Sequence, residues 1–201
     1  PRSKHLHLLA AGPNIYFRHF GSVAKPSVID FEKTEQFGVS KVTELSWKSI
    51  LDTFACTECG RCDAVCPANL TSKPLKPKKV LHDIKMNIRD GQKVDLIGRT
   101  PGEYTHQGQV HLDELWACTT CAACVEVCPV LIDSVPTSLM QIRRNLVMME
   151  ATDYPKELNS AFKGMEVQGN PWGVGQNKRA DWAQELQVPL MADQGDREVE
   201  Y

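Results

Sequence analysis

Three stripes of apolar residues at helical spacing run through the middle of the chain. Trp47, Ile50, Leu51 and Phe54 recur at i, i+3, i+4 and i+7, the pattern of one helix face, with Thr43 as the expected N-cap. Val80, Leu81, Ile84 and Ile88 form a second stripe, entered through Pro77 and ended by Asp90-Gly91. Leu139, Ile142, Leu146 and Met149 form a third, with Pro136 just upstream. No sustained alternation of period two appears, so the pattern predicts a mainly α domain over 40–153. Residues 91–112 are polar and hold Gly98, Pro101-Gly102 and Gly108, the composition of a surface loop or small hairpin. Residues 154–201 hold Pro155, Gly164, Gly169, Asn170-Pro171-Trp172-Gly173 and Gly175. They read as an extended, turn-rich arm, with a short helix at 178–186 anchored by Trp182 and Leu186.

The two ends differ in charge. Residues 1–29 carry Arg2, Lys4, Arg18 and Lys25, no acidic group, and Leu6, Leu8, Leu9, Ile15, Tyr16, Phe17 and Phe20 between them. That mixture suits a membrane–cytoplasm boundary, or an arm packing on its own domain. The last 21 residues carry six acidic groups against Arg197. Over all 201 residues, 23 Lys and Arg face 25 Asp and Glu, and so even a balance gives no support to a nucleic-acid binder. With 42% hydrophobic and 24% charged residues the chain can bury a core. No apolar run approaches the roughly 20 residues that span a bilayer, and no signal peptide opens the chain. It begins at Pro1 rather than Met, which suggests a processed product or part of something longer.

The eight cysteines narrow the chemistry. Cys56, Cys59, Cys62 and Cys66 follow C-x2-C-x2-C-x3-C-P, closed by Pro67; Cys118, Cys121, Cys124 and Cys128 repeat it, closed by Pro129. Three thiols two residues apart let one short loop wrap a face of an iron–sulfur cubane. In two-cluster ferredoxins the fourth cysteine of such a run ligates the other cluster. The expected ligand sets are therefore Cys56, Cys59, Cys62 and Cys128 for a first [4Fe-4S] cluster, and Cys118, Cys121, Cys124 and Cys66 for a second. Four disulfides would suit a small secreted domain, and two zinc sites would not need the third cysteine at this spacing. The motifs lie 62 residues apart, and Phe54-Ala55-Cys56-Thr57 matches Trp116-Ala117-Cys118-Thr119, so the repeat is an internal duplication. Compact bacterial ferredoxins place their motifs closer together and have short strands. The long insert, including 67–117, argues for a helical type instead.

The loops themselves differ. Thr57, Glu58, Gly60 and Arg61 make the first polar and charged, whereas Thr119, Thr120, Ala122 and Ala123 make the second smaller and more apolar. The two clusters are expected to differ in potential, through hydrogen bonds to sulfur, burial and charge. Lys73, Lys76, Lys78 and Lys79 form a local basic patch for an acidic redox partner, or a solvated helix entry. His19, His82, His106 and His111 match no motif.

With these features read, the chain resembles the iron–sulfur segment of membrane-associated heterodisulfide-reductase-like oxidoreductases. In these, a cytochrome b domain like the nitrate reductase gamma subunit precedes a helical two-cluster ferredoxin, and CCG-type cysteine-rich domains follow. Pro1-Arg2-Ser3-Lys4-His5-Leu6-His7-Leu8 and Pro13-Asn14-Ile15-Tyr16-Phe17-Arg18 resemble the end of the last cytochrome helix. Residues 47–150 resemble the ferredoxin part of heterodisulfide reductase and of the anaerobic glycerol-3-phosphate dehydrogenase small subunit. Asn170-Pro171-Trp172-Gly173 through Arg179-Ala180-Asp181-Trp182 resembles the connector to the CCG domain. The members that oxidise an electron-transferring flavoprotein and reduce a quinone are the nearest in pattern.

The resemblance implies a helical ferredoxin with extended N- and C-terminal arms: a basic juxtamembrane arm over 1–39, the two-cluster domain over 40–153 and a connector over 154–201. It implies a relay between a flavoprotein or CCG-type site and a haem b or quinone site in an adjoining membrane domain, at the cytoplasmic face of the inner membrane. His7, or else His5, matches the position of a haem ligand; an interfacial histidine is the plainer reading of either. Neither transmembrane helices nor CCG cysteines are present. The alternatives are a soluble iron–sulfur subunit of a heterodisulfide-reductase-like or glycerol-phosphate-dehydrogenase-like complex, and a non-redox, metal-stabilised scaffold.

Overall fold

The computed structural model describes residues 5–21, 25–91, 95–99, 108–150, 154–186 and 188. Arg2, Lys4, Pro101-Gly102, His106 and the acidic end beyond 188 lie outside the described residues. The chain divides into two units, Pro1–Tyr154 and Pro155–Tyr201. The first is mainly helical, as the three stripes require.

Helix α1 (Leu6–Tyr16) opens the first unit and packs against α2 (Trp47–Ala55). With Gly12 and Pro13 inside eleven residues, α1 has little helical preference of its own, so packing must hold it. Its inner face carries buried Ala10 and Asn14, and the Asn14 side-chain amide donates to the Val130 carbonyl at 3.0 Å. Its outer face exposes Leu8, Leu9, Ile15 and Tyr16. Among the described residues, no helix is long and apolar enough to cross a membrane.

The N-cap of α2 is Ser46, whose hydroxyl accepts the Ser49 N–H at 3.1 Å. Thr43, expected in that role, sits one turn earlier in a 3-10 segment, Val42–Glu44. Glu44 ties down that segment: its carboxylate accepts from the N–H groups of Ser40 at 2.7 Å and Lys41 at 3.1 Å. Asp52 then joins α2 to α8 (Ser134–Asn145). Fully buried, it accepts from Lys48 at 2.6 Å and from the Ser134 N–H at 3.2 Å, so a side chain of one helix satisfies an N-terminal amide of another. Burial pushes the Asp52 carboxyl up, against the pull of Lys48.

Helix α3 (Arg61–Val65) and helix α4 (Pro67–Leu70) are short. Helix α5 (Pro77–Arg89) has Pro77 at its start, where the missing N–H costs nothing. Val80, Leu81 and Ile84 of α5 meet Leu139, Ile142 and Leu146 of α8 and its π-helical extension, Leu146–Glu150, in one apolar core. The stretch expected as a surface loop or hairpin departs from that reading. Leu96, Ile97 and Val110 are buried in the same core, and β1 (Ile97–Gly98) pairs with β2 (Val110–His111) in parallel. Burial of three apolar side chains draws the ends of this segment inward, and a parallel pair cannot be a hairpin. Helix α6 (Leu112–Ala117) and helix α7 (Ala123–Glu126) complete the unit.

The second unit is less extended than its Gly and Pro content suggests. Helix α9 (Glu157–Gln168) fills its first part, on the spacing of Leu158, Ala161, Phe162 and Met165. It stops at Gly169, in the left-handed conformation at φ 68°, the usual helix end. Asn170 then organises the turn, donating to the Val174 carbonyl at 2.6 Å and accepting the Val174 N–H at 2.9 Å. The short helix expected at 178–186 is the four-residue α10 (Asp181–Gln184). Its buried residue is Ala183; Trp182 and Leu186, expected as its anchors, are exposed.

Candidate metal centre

Both cysteine loops are built on one backbone plan. Cys56 ends α2 and Cys118 ends α6. Two residues on, Glu58 and Thr120 take left-handed conformations at φ 55° and 53°, and Gly60 and Ala122 do so again at 79° and 64°. Those two turns close each loop. Gly60 and Ala122 then lead into α3 and α7, which carry Cys62 and Cys124. The sequence duplication is therefore a duplication of shape, down to positions where the residue type differs.

Helices α3 and α7 lie against each other, so each motif ends beside the other loop. One hollow is lined by Cys56, Cys59, Cys62, Cys124 and Cys128. The second is lined by Cys66, Cys118, Cys121 and Cys124. Among the described residues, no three His, Cys, Asp or Glu side chains close around a single metal ion; the thiols are spread around two hollows. Cys59 and Cys121 are exposed, Cys66 is buried and the others are half-buried.

The donor set suits iron and sulfide. Burial, then neighbouring Asp63 and Cys56, pushes the Cys62 thiol up to about 12. Burial and the surrounding thiols push Cys124 up to about 12 as well. Thiols crowded in this way ionise only beside added positive charge, which a bound iron centre provides. Amides help at several sulfurs: the N–H of Thr120 lies 3.4 Å from Cys118 Sγ, and that of Ile132 lies 3.4 Å from Cys128 Sγ. At exposed Cys59 the Arg61 N–H is the main cause of a lowered thiol pKa.

The surrounding charges were only partly foreseeable. Lys85, nearly buried in α5, pairs with Glu58 of the first loop and holds its carboxyl below the usual range. Asp63 accepts the Lys78 N–H at 2.9 Å and so steadies the start of α5. On the second loop, Arg143 of α8 donates through Nε to the Leu115 carbonyl at 3.0 Å and through Nη2 to the Cys118 carbonyl at 2.6 Å. Its guanidinium lies 5.1 Å from the Trp116 ring centroid. No motif flags Lys85 or Arg143; each acts across more than twenty residues of sequence. The expected basic patch loses a member, because Lys79 turns inward to Asp83 at 2.7 Å and Glu114 at 3.0 Å. Lys73 and Lys76 stay exposed. His7 lines a cavity of about 260 Å³ together with Cys56, Glu58, Lys85 and Arg89.

Residues 55–132 match the family model of a 4Fe-4S dicluster domain. The whole chain is 34% identical to EtfAB:quinone oxidoreductase from Syntrophomonas wolfei, covering 31% of that protein. Over 96% of its length it is 30% identical to a probable iron-sulfur-binding oxidoreductase, FadF, of Bacillus subtilis, covering 32% of it. Over 66% of its length it is 34% identical to one subunit of the dihydromethanophenazine:CoB–CoM heterodisulfide reductase of Methanosarcina barkeri, covering 33% of it. The chain thus contains a 4Fe-4S dicluster domain and is similar, over most or all of its length, to heterodisulfide-reductase-like iron–sulfur oxidoreductases. The likeness makes it an iron–sulfur, electron-transfer protein. It spans about a third of the length of the curated relatives it matches.

Proposed function

We propose that this segment of a heterodisulfide-reductase-like oxidoreductase passes electrons one at a time through two [4Fe-4S] clusters. Cys56, Cys59, Cys62 and Cys128 hold the first; Cys118, Cys121, Cys124 and Cys66 hold the second. The observation that supports the reading is that Cys128 lines the hollow of Cys56, Cys59 and Cys62, and Cys66 that of Cys118, Cys121 and Cys124, with Cys124 lining both. The clusters supply reversible one-electron steps, and the protein supplies ligands, amides to sulfur and fixed charge. The experiment is an anaerobic iron and sulfide count with EPR after dithionite reduction. About eight iron and eight sulfide per chain are expected. Stoichiometric zinc without sulfide would refute the proposal and favour the metal-stabilised scaffold.

The relay runs, on this proposal, between a flavoprotein or CCG-type site and a membrane haem b or quinone site. Support comes from what the relatives are named to do and from the apolar outer face of α1. His7 shares its cavity with Cys56, so the first cluster is the one assigned to the membrane side. Were a haem to lie there, His7 would be the residue to hold it. The close packing of α1 on α2 favours the second reading, a soluble subunit. Flotation of the native assembly with membranes, and its loss when Leu8, Leu9 and Tyr16 are all changed to Ser, separates the two. An assembly that never floats leaves the soluble reading.

A further inference from the structure

The two hollows differ in how charge is arranged around them. Around the first, Arg61 and Lys78 line the wall. Lys85 and Glu58 are paired at Cys56, and Asp63 lies beside Cys62. Charges of both signs are present, and the cation beside Cys56 has its own carboxylate. The second hollow has no charged side chain in its lining among the described residues. The cation that reaches it is Arg143, on the carbonyl of Cys118. Its described hydrogen bonds all go to main-chain carbonyls at the end of α6, and among the described residues no carboxylate pairs with it. Half-buried beside Cys118, this charge is less screened than one in open water.

The internal duplication supplies a control. Lys85 and Arg143 come from the first long helix after each motif, and each reaches the loop of that motif. In the first loop, Glu58 answers the cation. Its counterpart in the second loop is Thr120, at nearly the same φ, and its hydroxyl donates to the neighbouring Thr119 carbonyl at 2.7 Å. The two loops share a shape, and only one carries the neutralising carboxylate.

We propose that Arg143 sets the reduction potential of the cluster held by Cys118, Cys121, Cys124 and Cys66, as an uncompensated positive charge, while Lys85 is neutralised by Glu58 at the first cluster. This rests on the two-cluster reading. A reduced cluster carries one more negative charge than an oxidised one, so a fixed cation beside it stabilises the reduced form and raises its midpoint. Arg143 is a positioning residue as well, because its fork holds the carbonyls before and at Cys118, and the test must separate charge from shape.

The test is an anaerobic redox titration of the reconstituted chain, followed by EPR. The two signals are assigned beforehand through Cys59→Ser and Cys121→Ser, whose side chains line different hollows. Arg143→Gln is expected to weaken reduction of the second cluster at least tenfold, about 59 mV for one electron, and to leave the first unmoved. Arg143→Lys keeps the charge but not the fork, and is expected to stay near the wild-type midpoint. Thr120→Glu leaves Arg143 in place and adds the missing carboxylate, so it lowers the second midpoint without disturbing the end of α6; Glu58→Thr raises the first. A second-cluster midpoint unmoved in both Arg143→Gln and Thr120→Glu overturns the proposal. So does Arg143→Lys falling as far as Arg143→Gln, which would make the role one of shape. Iron and sulfide counted on every variant keep this result apart from the cluster assignment: a chain without two clusters overturns that reading, whereas two clusters with unshifted midpoints overturn only this one.

Discussion

Exchanging Gly60 and Ala122 between the two loops isolates the energy stored in one backbone angle. Both residues sit in the left-handed region, at φ 79° and 64°. A residue with a Cβ is disfavoured there by about 1–2 kcal/mol. A Cβ built on Gly60 meets nothing within 4 Å, and Ala122 already carries one at the equivalent place, so steric conflict adds little. Against the strain stands the unfolded chain, where Gly gains about 0.5–1 kcal/mol of conformational freedom over Ala. The difference leaves Ala122→Gly stabilising by about 0.5–1 kcal/mol and Gly60→Ala destabilising by a similar amount. For a chain of this size that is roughly 1–4 °C. The assay is anaerobic thermal unfolding of the cluster-loaded protein at one scan rate, followed by far-UV circular dichroism and by visible absorption. The double exchange should return close to wild type, because the two sites are in separate loops. An Ala122→Gly variant that melts lower than wild type would show that the loop is held by something other than this conformation, and the reasoning would fail.

Two further outcomes follow from the site and its surroundings. Cys66→Ser should perturb the EPR signal of the cluster held by Cys118, Cys121 and Cys124 and leave the other nearer normal; loss of the first-motif signal instead would refute crossed ligation. Burial pulls the Lys79 ammonium down, but its hydrogen bonds to Asp83 and Glu114 outweigh that and raise it above its ordinary value. Its contribution is therefore fully present below about pH 10.4 and lost as pH rises through the higher folded value. Lys79→Met, which leaves Asp83 and Glu114 buried without their cation, should cost about 3 kcal/mol at neutral pH and flatten the alkaline fall in melting temperature; an unchanged alkaline slope would dismiss the assignment.

What could be read in the sequence was whatever depends on spacing. The stripes through Val80, Leu81 and Ile84 and through Leu139, Ile142 and Leu146 name core residues because helical periodicity and burial are the same fact seen twice. Trp47 and Met149, at the ends of their stripes, are exposed instead; a helix end leaves the core, and periodicity cannot tell where. The thiol motifs were legible because their chemistry fixes residue type at fixed intervals. Lys85 on Glu58 and Arg143 on Cys118 were not, because a pairing between distant residues exists only once α5 and α8 have been placed. Helix α9 is less legible: Leu158, Ala161, Phe162 and Met165 fall at helical spacing, but Phe162 and Met165 stay exposed and glycines and prolines surround the helix. Ser46 displaced Thr43 as a cap because the 3-10 turn used Thr43 first.

The parallel pairing of Ile97–Gly98 with Val110–His111 has a consequence for how this protein can vary. Both strands are fixed in the core, and the Gln109 side chain donates to the Asp95 carbonyl at 3.0 Å just outside them, so the ends of the intervening stretch are clamped independently of what lies between. Loop-closure entropy grows only with the logarithm of length, and doubling the stretch costs roughly 0.6 kcal/mol. Arg99 and Gly108 are held as well, by Glu150 and by the Asn87 amide, so lengthening the chain between these two leaves the strand pairing in place, which makes that stretch a natural place to insert a reporter or an affinity tag.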